Sequence, residues 1–478
     1  MEWKKKNMLR AAIINLGCKV NKYESDAMKD KLCMAGIEVV ESEETADIYI
    51  VNTCSVTNMA QKKSRQMLRR AKKMNPDAVI VAAGCYVNAE HETLKNEDFV
   101  DIVVSNNCKK DIVEVIKEYL ADQTVNDYYV DMNLTKEYEE MGTLKASRLD
   151  HQRAYIKIQD GCNQFCSYCI IPYTRGRVRS RKPENIIKEI TGLAKAGVKE
   201  FVLTGIHISS YGIDFCGENL QYDVFMEHVK GKGQGEITSL GRLVKAISEI
   251  PEVKRIRLGS LEPRIITEEF LENLSGSDKI CPHFHLSLQS ACNDTLKRMN
   301  RKYTIEEFME KCEWIRKYFD KPAITTDVIV GFPGETEEEF AVTMNNLEKI
   351  KLYEIHVFKY SVREGTLAQK MTGQVTEQNK TERSSRLLEL TKKQKKEYEA
   401  SLKGYTDEVL VEERVDEKEK LWELQAVKIL KAEEGAGQTE QIGQEKLQYF
   451  TGHTKRYVKV KAASKDNMVN QIVRVEIL

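Results

Sequence analysis

Short apolar runs separated by longer segments with apolar residues three and four apart recur along most of the chain, the pattern of buried strands alternating with amphipathic helices. Runs at 11–16, 48–52 and 78–83 are joined by segments of helical spacing at 24–35 and 60–73. They predict a parallel α/β sheet within residues 1–120. Residues 121–150 lose periodicity and turn acidic and polar, and read as a linker. Six further runs follow within 151–385, at 155–158, 200–203, 255–258, 283–288, 324–330 and 354–360. Helical spacing at 183–196, 239–250, 304–318 and 335–349 lies between them. Repeated β/α units of this number predict an open, partial (β/α)6 barrel with its chemistry at the C-terminal strand ends. The last region, 386–478, opens on a charged helical connector at 383–402 and continues as short runs at 408–412, 425–430, 457–461 and 471–477. Alternation in Y-V-K-V-K and I-V-R-V-E-I predicts a small antiparallel β-barrel with one wet face. The fold class is therefore α/β with a β-barrel appended.

A chain of 478 residues exceeds the size of one hydrophobic core, so several domains fit the pattern. Its 74 basic and 74 acidic residues cancel, and any nucleic-acid surface must be local. One candidate is the segment carrying Lys62, Lys63, Arg65, Arg69, Arg70, Lys72 and Lys73, which fits a solvated helix face or a phosphate-contacting one. Another lies between Lys455 and Arg474, where six basic residues face one acidic residue. The 12 cysteines are too sparse for a secreted disulfide scaffold and suit a reducing compartment. With no secretory pattern at the start and no long apolar span, a soluble cytoplasmic protein without a membrane segment is expected.

Candidate chemistry lies in two sets of cysteines. Residues 160–169 read D-G-C-N-Q-F-C-S-Y-C and place Cys162, Cys166 and Cys169 in a C-x3-C-x2-C spacing. Zinc sites usually pair two C-x2-C elements, whereas three thiolates on a tight loop can hold three irons of a four-iron cluster and leave the fourth open. A zinc knuckle or cysteines that merely pack are the alternatives. Cys18, Cys54 and Cys85 each follow the end of a predicted parallel strand, so topology would bring them to one crevice. Cys33 and Cys108 lack that placement and read as packing. Directly after the Cys162 loop, Arg175, Arg177, Arg179, Arg181 and Lys182 crowd together, a charge density that a phosphate backbone would relieve.

The C-x3-C-x2-C loop after a strand resembles the radical S-adenosylmethionine superfamily. The segments N-L-G-C-K-V-N-K-Y-E, V-N-T-C-S-V-T and A-A-G-C-Y resemble the N-terminal domain of its methylthiotransferases, and the last region resembles the RNA-binding TRAM domain. The resemblance spans nearly the whole chain. It implies two 4Fe-4S clusters, one on Cys162, Cys166 and Cys169 and an auxiliary one on Cys18, Cys54 and Cys85. It also implies two S-adenosylmethionine molecules, one methylating a cluster-bound sulfur and one cleaved to a 5′-deoxyadenosyl radical. The methylthio group then replaces the hydrogen at carbon 2 of an adenine beside the anticodon, a bond without acidity that calls for a cofactor's radical chemistry. Cofactor contacts are expected from Tyr168, Gly205 in L-T-G, Glu262 in G-S-L-E-P, Ser287 and Gln289 in H-L-S-L-Q-S, Arg301, and Gly331 and Gly334, whose backbone would approach the adenine. Arg298 is the rival of Arg301 for the cofactor carboxylate, and Thr336 is expected to cap a helix. Arg175, Arg177 and Arg179 are the expected substrate contacts. The implied partners are a tRNA anticodon stem-loop, an electron donor such as flavodoxin or ferredoxin, and a sulfur donor.

C-K-V-N-K-Y-E and R-G-R-V-R-S-R resemble the threonylcarbamoyladenosine-specific, MtaB-type branch; the isopentenyladenosine branch shows C-Q-M-N, and a branch modifying a ribosomal protein is a third. A reading of another class is a non-catalytic metal-cluster RNA-binding protein. The chain departs from the family pattern at 213–237, read as a surface loop with Cys216, and at 431–447, read as a mobile loop. It also departs at Lys359, Val362 and Glu364, where loop rigidity is in question.

Overall fold

The computed structural model of the chain describes residues 8–145, 152–216, 238–415, 424–432 and 447–478. In the first region, strands β1 (Arg10–Asn15), β2 (Glu38–Val40), β3 (Ile48–Thr53), β4 (Val79–Gly84), β5 (Ile102–Val104) and β6 (Asp127–Tyr128) form one parallel sheet in the order β2-β1-β3-β4-β5-β6. Both faces are covered. Ile48, Ile50, Val79 and Val81 enter one core with Tyr23 and Leu32 of helix α1 (Lys19–Met34). Tyr49, Val51, Ile80 and Ala82 enter a second with Leu68 and Ala71 of helix α2 (Asn58–Met74). A sheet buried on two faces needs apolar residues at consecutive positions, which is why these runs are continuous. The segment expected as a linker contributes β6 to this sheet and buries Met132, Met141 and Leu144. Its strand is only two residues long, too short to leave a periodic signal.

All six runs of the central region are strands: β7 (Arg153–Lys157), β10 (Glu200–Thr204), β11 (Arg255–Leu258), β12 (His283–His285), β13 (Ala323–Val330) and β14 (Glu354–Lys359). A short hairpin-like pair, β8 (Gln159–Asp160) and β9 (Arg179–Ser180), brackets the cysteine loop. Two parallel sheets, β7-β10-β11 and β12-β13-β14, are joined by bridges Ile256–Ile280 and Leu261–Leu286 into an open six-strand barrel. Phe201, Leu203, Ile256, Leu258 and Phe284 pack outward in the helix-covered core. Thr304 and Thr336 cap the helices Ile305–Tyr318 and Glu337–Ile350 with capping boxes to Glu307 and Glu339.

The last region begins with the helix Glu377–Ser401, capped by Thr376, and continues as a closed barrel. Its strands are β15 (Thr406–Val415), β16 (Gln425–Ala432), β17 (Gln448–Thr454), β18 (Lys459–Ser464) and β19 (Ile472–Ile477), in the order β15-β17-β18-β16-β19. The strand β17, sequence QYFTGHT, was not expected, because it lacks the alternation of its neighbours. One pairing, β16 with β18, is parallel rather than antiparallel. Of the loop readings at 213–237 and 431–447, residues 217–237 and 433–446 lie outside the described residues, while 213–216 form a short 3-10 turn with Ile213 buried and 431–432 continue β16.

This small barrel closes the bottom of the large one. Arg255 and Arg257 donate to the carbonyls of His453, Thr454 and Lys455, and Arg153 pairs with Glu412. Glu200 gathers Arg153 at 3.8 Å, Arg255 at 3.6 Å and Arg257 at 3.0 Å. Burial raises the Glu200 carboxyl, but Arg257, Arg153 and Arg255 outweigh it and hold it down to about 2. A depressed carboxylate stabilises the fold above its unfolded value and loses that contribution as the pH falls through the folded one. Replacing Glu200 with Gln strands three buried guanidinium groups and is expected to cost about 3–5 kcal/mol at pH 7. The gap between variant and parent should persist down to about pH 4 and close only toward pH 2, as read in melts across that range. Equal melting of the two proteins at pH 7 would show that the arginines do not depend on Glu200.

Candidate active site

Because β1, β3 and β4 are neighbours in the sheet, the residues that follow them emerge side by side. Cys18 is the N-cap of α1, Cys54 follows Thr53 directly, and Cys85 follows Gly84. Gly17 adopts φ +105°, and a Cβ there would lie 3.0 Å from the Cys54 Sγ, so only glycine lets the backbone pass this thiol. Burial, then Cys85, push the Cys54 thiol up to about 11, with Cys18 adding to the effect; the Cys18 thiol is raised by burial with Cys85 contributing. The Cys85 Sγ accepts hydrogen bonds from Arg175 Nε at 3.1 Å and Asn106 Nδ2 at 3.5 Å.

The second triad sits on the loop after β8. Ser167 donates through its backbone to Met299 O and through its hydroxyl to Arg298 O, and Asn300 Nδ2 donates to Phe165 O. Arg301 then reaches the Cys166 Sγ at 3.2 Å and Ser287 O at 3.0 Å. Arg298, its sequence rival, is taken up by Glu339. Burial, then Cys166, push Cys162 up to about 12, and Cys169 is raised by burial, Cys166 and Cys162. In each triad the thiols oppose one another's ionisation, an environment that a shared cationic centre relieves.

Between the triads lies a buried ion network. Glu24 of α1 meets Lys109, Lys157 at 2.8 Å and Arg175 at 2.8 Å. Asp160 meets Lys157 at 2.6 Å, Arg175 at 3.2 Å and Arg179 at 3.7 Å. Burial opposes the charge of both carboxylates, yet Arg175, Lys109 and Lys157 hold Glu24 well below the usual range, and Lys157, Arg175 and Arg179 do the same for Asp160. The expectation that Arg175 and Arg179 contact substrate is thereby corrected: both are fully buried, with Arg175 committed to Glu24, Asp160, Asn21 and Cys85, and Arg179 turned inward to the Arg177 carbonyl oxygen at 3.2 Å and toward Asp160 at 3.7 Å. Arg177 is half-buried, lies 4.4 Å over the Phe165 ring, and has an unpartnered Nη1. Neither Glu24 nor Asp160 was singled out in the sequence, although both stand inside the quoted motifs.

The remaining expected residues spread around the barrel mouth. Ser287 and Gln289 are half-buried at the end of β12. Tyr168 packs edge-on to Phe332 at 6.3 Å. Glu262 is engaged by Arg264. A Cβ on Gly205 would meet the Gln159 carbonyl oxygen at 2.9 Å. A Cβ on Gly331 would meet Lys380 at 2.3 Å, and Gly334 packs against Gly373, so the tight approach at these two glycines is to protein rather than into an open cradle. The segment after β14 is pinned, since Arg363 donates to Asn58 Oδ1 and Gln61 Oε1 of α2, which answers the question of its rigidity. On α2, Arg65 pairs with Glu97 and Lys72 with Asp101, while Lys62, Lys63, Arg69, Arg70 and Lys73 are exposed.

Residues 156–347 match the family described as the Radical SAM superfamily, and residues 10–105 match Uncharacterized protein family UPF0004. Over 475 residues the chain is 39% identical to the threonylcarbamoyladenosine tRNA methylthiotransferase MtaB of Bacillus subtilis, covering 98% of this chain and 94% of that protein. The chain belongs to the radical S-adenosylmethionine methylthiotransferases. This methylthiotransferase is also 36% identical over 404 residues to the tRNA-2-methylthio-N(6)-dimethylallyladenosine synthase of Thermoanaerobacter sp., covering 83% and 80% of the two chains. Its fold is shared with the radical S-adenosylmethionine methyltransferase TsrM of Kitasatospora setae at a TM-score of 0.51 and 14% identity, over 74% of this chain and 73% of that one. Membership of the superfamily implies a 4Fe-4S cluster and S-adenosylmethionine. Cys162, Cys166 and Cys169 share one tight loop, and burial and then Cys166 raise the thiols of Cys162 and Cys169, so the three fit such a cluster.

The loop's geometry yields a sharp test. Gly161 adopts φ +71°, and a Cβ there would fall 1.8 Å from the Arg177 carbonyl oxygen. Gly161→Ala must therefore move Cys162, and the methylthiotransferase should lose iron and the ability to form 5′-deoxyadenosine while keeping its circular dichroism. Parent-level iron and cleavage in the variant would contradict this geometry.

Proposed function

We propose that this enzyme converts N6-threonylcarbamoyladenosine next to the tRNA anticodon to its 2-methylthio derivative, with S-adenosylmethionine as both methyl donor and radical source. The observation that carries the reading is the meeting of two cysteine triads on one buried charged hub, in a chain aligned over 98% of its length with a protein named for this activity. The relative named for dimethylallyladenosine aligns over 83%. Cys162, Cys166 and Cys169 would hold the radical cluster and Cys18, Cys54 and Cys85 an auxiliary one, supplying an open iron for the cofactor and a site for the transferred sulfur.

Around these centres the protein's own groups bind and orient. Arg301, held between Cys166 and Ser287 O, together with Gly205, Glu262, Ser287 and Gln289, lines the cofactor side, with Tyr168 beside it. Arg177 and the exposed cations of α2 suit the phosphates of an anticodon stem-loop, and the C-terminal barrel adds a second RNA-facing surface. The reading calls for an electron donor such as flavodoxin or ferredoxin, a sulfur donor and a cytoplasmic location. Among the described residues no helix is long and apolar enough to cross a membrane.

Nucleoside analysis of tRNA from a deletion strain tests the reaction: 2-methylthio-N6-threonylcarbamoyladenosine should vanish and its unthiolated precursor accumulate. Replacing Cys18, Cys54 or Cys85 with Ala should leave S-adenosylmethionine cleavage measurable but abolish methylthio transfer, whereas replacing Cys162, Cys166 or Cys169 should abolish both. Unchanged nucleosides in the deletion strain, or colourless zinc-loaded protein after anaerobic purification, would count against the enzyme reading.

A further inference from the structure

The inner wall of the large barrel carries a group of ligand-type side chains that neither cysteine triad uses. Along the second sheet, Leu286, Leu288, Ile324, Val328, Val330 and Ile355 belong to the helix-covered core. Successive side chains on a strand point to opposite faces, so His285, Asp327 and His356 face the barrel interior. Their exposure agrees: His285 and Asp327 are half-buried and His356 is exposed. Each stands on its own strand, β12, β13 and β14, which are neighbours in that order. Asp327 is in register with His356 across β13 and β14, and His285 with Thr325 across β12 and β13. The two histidines are therefore two strands apart, about 10 Å by strand spacing. Their rings nevertheless approach to 5.7 Å at an interplanar angle of 24°, leaning together over the aspartate between them.

One nitrogen from each ring and one Asp327 carboxylate oxygen lie within 4.8 Å of one another. His285 Nε2 is 3.3 Å from Asp327 Oδ2. Two ligands each about 2.1 Å from a tetrahedral ion are about 3.4 Å apart, so this pair already stands at ligand spacing. A turn of the exposed His356 side chain, a fast motion at a solvent-facing position, closes the rest. The second nitrogen of His285, Nδ1, is 3.0 Å from Thr325 Oγ1, which also lies 3.5 Å from His283 Nε2. By accepting the Nδ1 proton and donating its own to His283, the Thr325 hydroxyl leaves the His285 lone pair on Nε2, beside Asp327. Ligating histidines are oriented in this way by a partner on the other nitrogen. Among the described residues no hydrogen bond occupies the His356 ring or the Asp327 carboxylate.

We propose that His285, Asp327 and His356 bind one divalent transition-metal ion such as zinc, at a site separate from both cysteine triads. Two imidazoles with one carboxylate suit such an ion better than magnesium or calcium, which take oxygen ligands, and better than an iron–sulfur cluster, which takes thiolates. Three protein ligands leave a position open toward the barrel interior, where water or an oxygen of a bound molecule completes the shell. Ser287, on the proposed cofactor side, stands two residues nearer the barrel mouth than His285, so the ion lies deeper than the cofactor. The inference does not depend on which modified adenosine the enzyme takes.

Zinc binding to the anaerobically purified, iron-loaded enzyme tests it, with stoichiometry and affinity from calorimetric titration and the ligand shell from X-ray absorption at the zinc edge. The parent should take up one zinc ion per chain without losing iron. Its absorption should show nitrogen and oxygen at about 2.0–2.1 Å and no sulfur at about 2.3 Å, the distance that a zinc ion on cysteine would give. His356→Ala and Asp327→Ala should each weaken binding by about 100-fold or more, beyond the effect of losing an outer-shell partner, with iron content unchanged. The parent's ligand shell decides the matter by itself where a variant fails to fold. No zinc uptake by the iron-loaded parent, sulfur in the zinc shell, displacement of iron, or undiminished binding in either folded variant overturns the site.

Discussion

Glu24 and Asp160 hold Lys109, Lys157, Arg175 and Arg179 in the dry space where the two cysteine triads meet, and the arrangement of the site follows from satisfying those charges. An isolated buried ion is costly, and a buried pair persists only when nearly every donor has an acceptor. The members come from four parts of the chain: Glu24 from α1, Lys109 from the turn after β5, Lys157 and Asp160 from β7 and β8 before the cysteine loop, and Arg175 and Arg179 from the segment after it. Satisfying one set of charges therefore fixes the first sheet against the barrel. Arg175 carries that constraint to the chemistry, since its Nε donates to Cys85 while Gly176 O accepts from Cys162 N at 3.0 Å.

The same logic operates at the other end of the barrel. Glu200 and its three arginines close the lumen against the C-terminal barrel, where Tyr457 stacks on His283 at 4.9 Å and on His453 at 4.7 Å.

Much of this was legible in the sequence. The six barrel strands and the three strands preceding Cys18, Cys54 and Cys85 were visible because parallel strands buried on both faces leave continuous apolar runs. The cysteine spacing carried the chemistry because few centres accept three thiolates so close together. Less legible were features whose meaning lies in distant partners. Arg175 reads as one basic residue among five, and nothing local reveals that Glu24, some 150 residues earlier, neutralises it. Likewise β6 and β17 are recognisable only from the strands they pair with.

The central proposal is that two distinct clusters occupy the two triads and that only one of them meets the cofactor. Electron paramagnetic resonance of the anaerobic, reduced protein, before and after adding S-adenosylmethionine, addresses it directly, with Mössbauer quantification of the iron. The account predicts about eight irons per chain, two overlapping cluster signals, and a change on cofactor addition confined to the signal that a Cys162→Ala variant lacks. A single four-iron signal in fully reconstituted protein, or a cofactor response that survives Cys162→Ala, would contradict it.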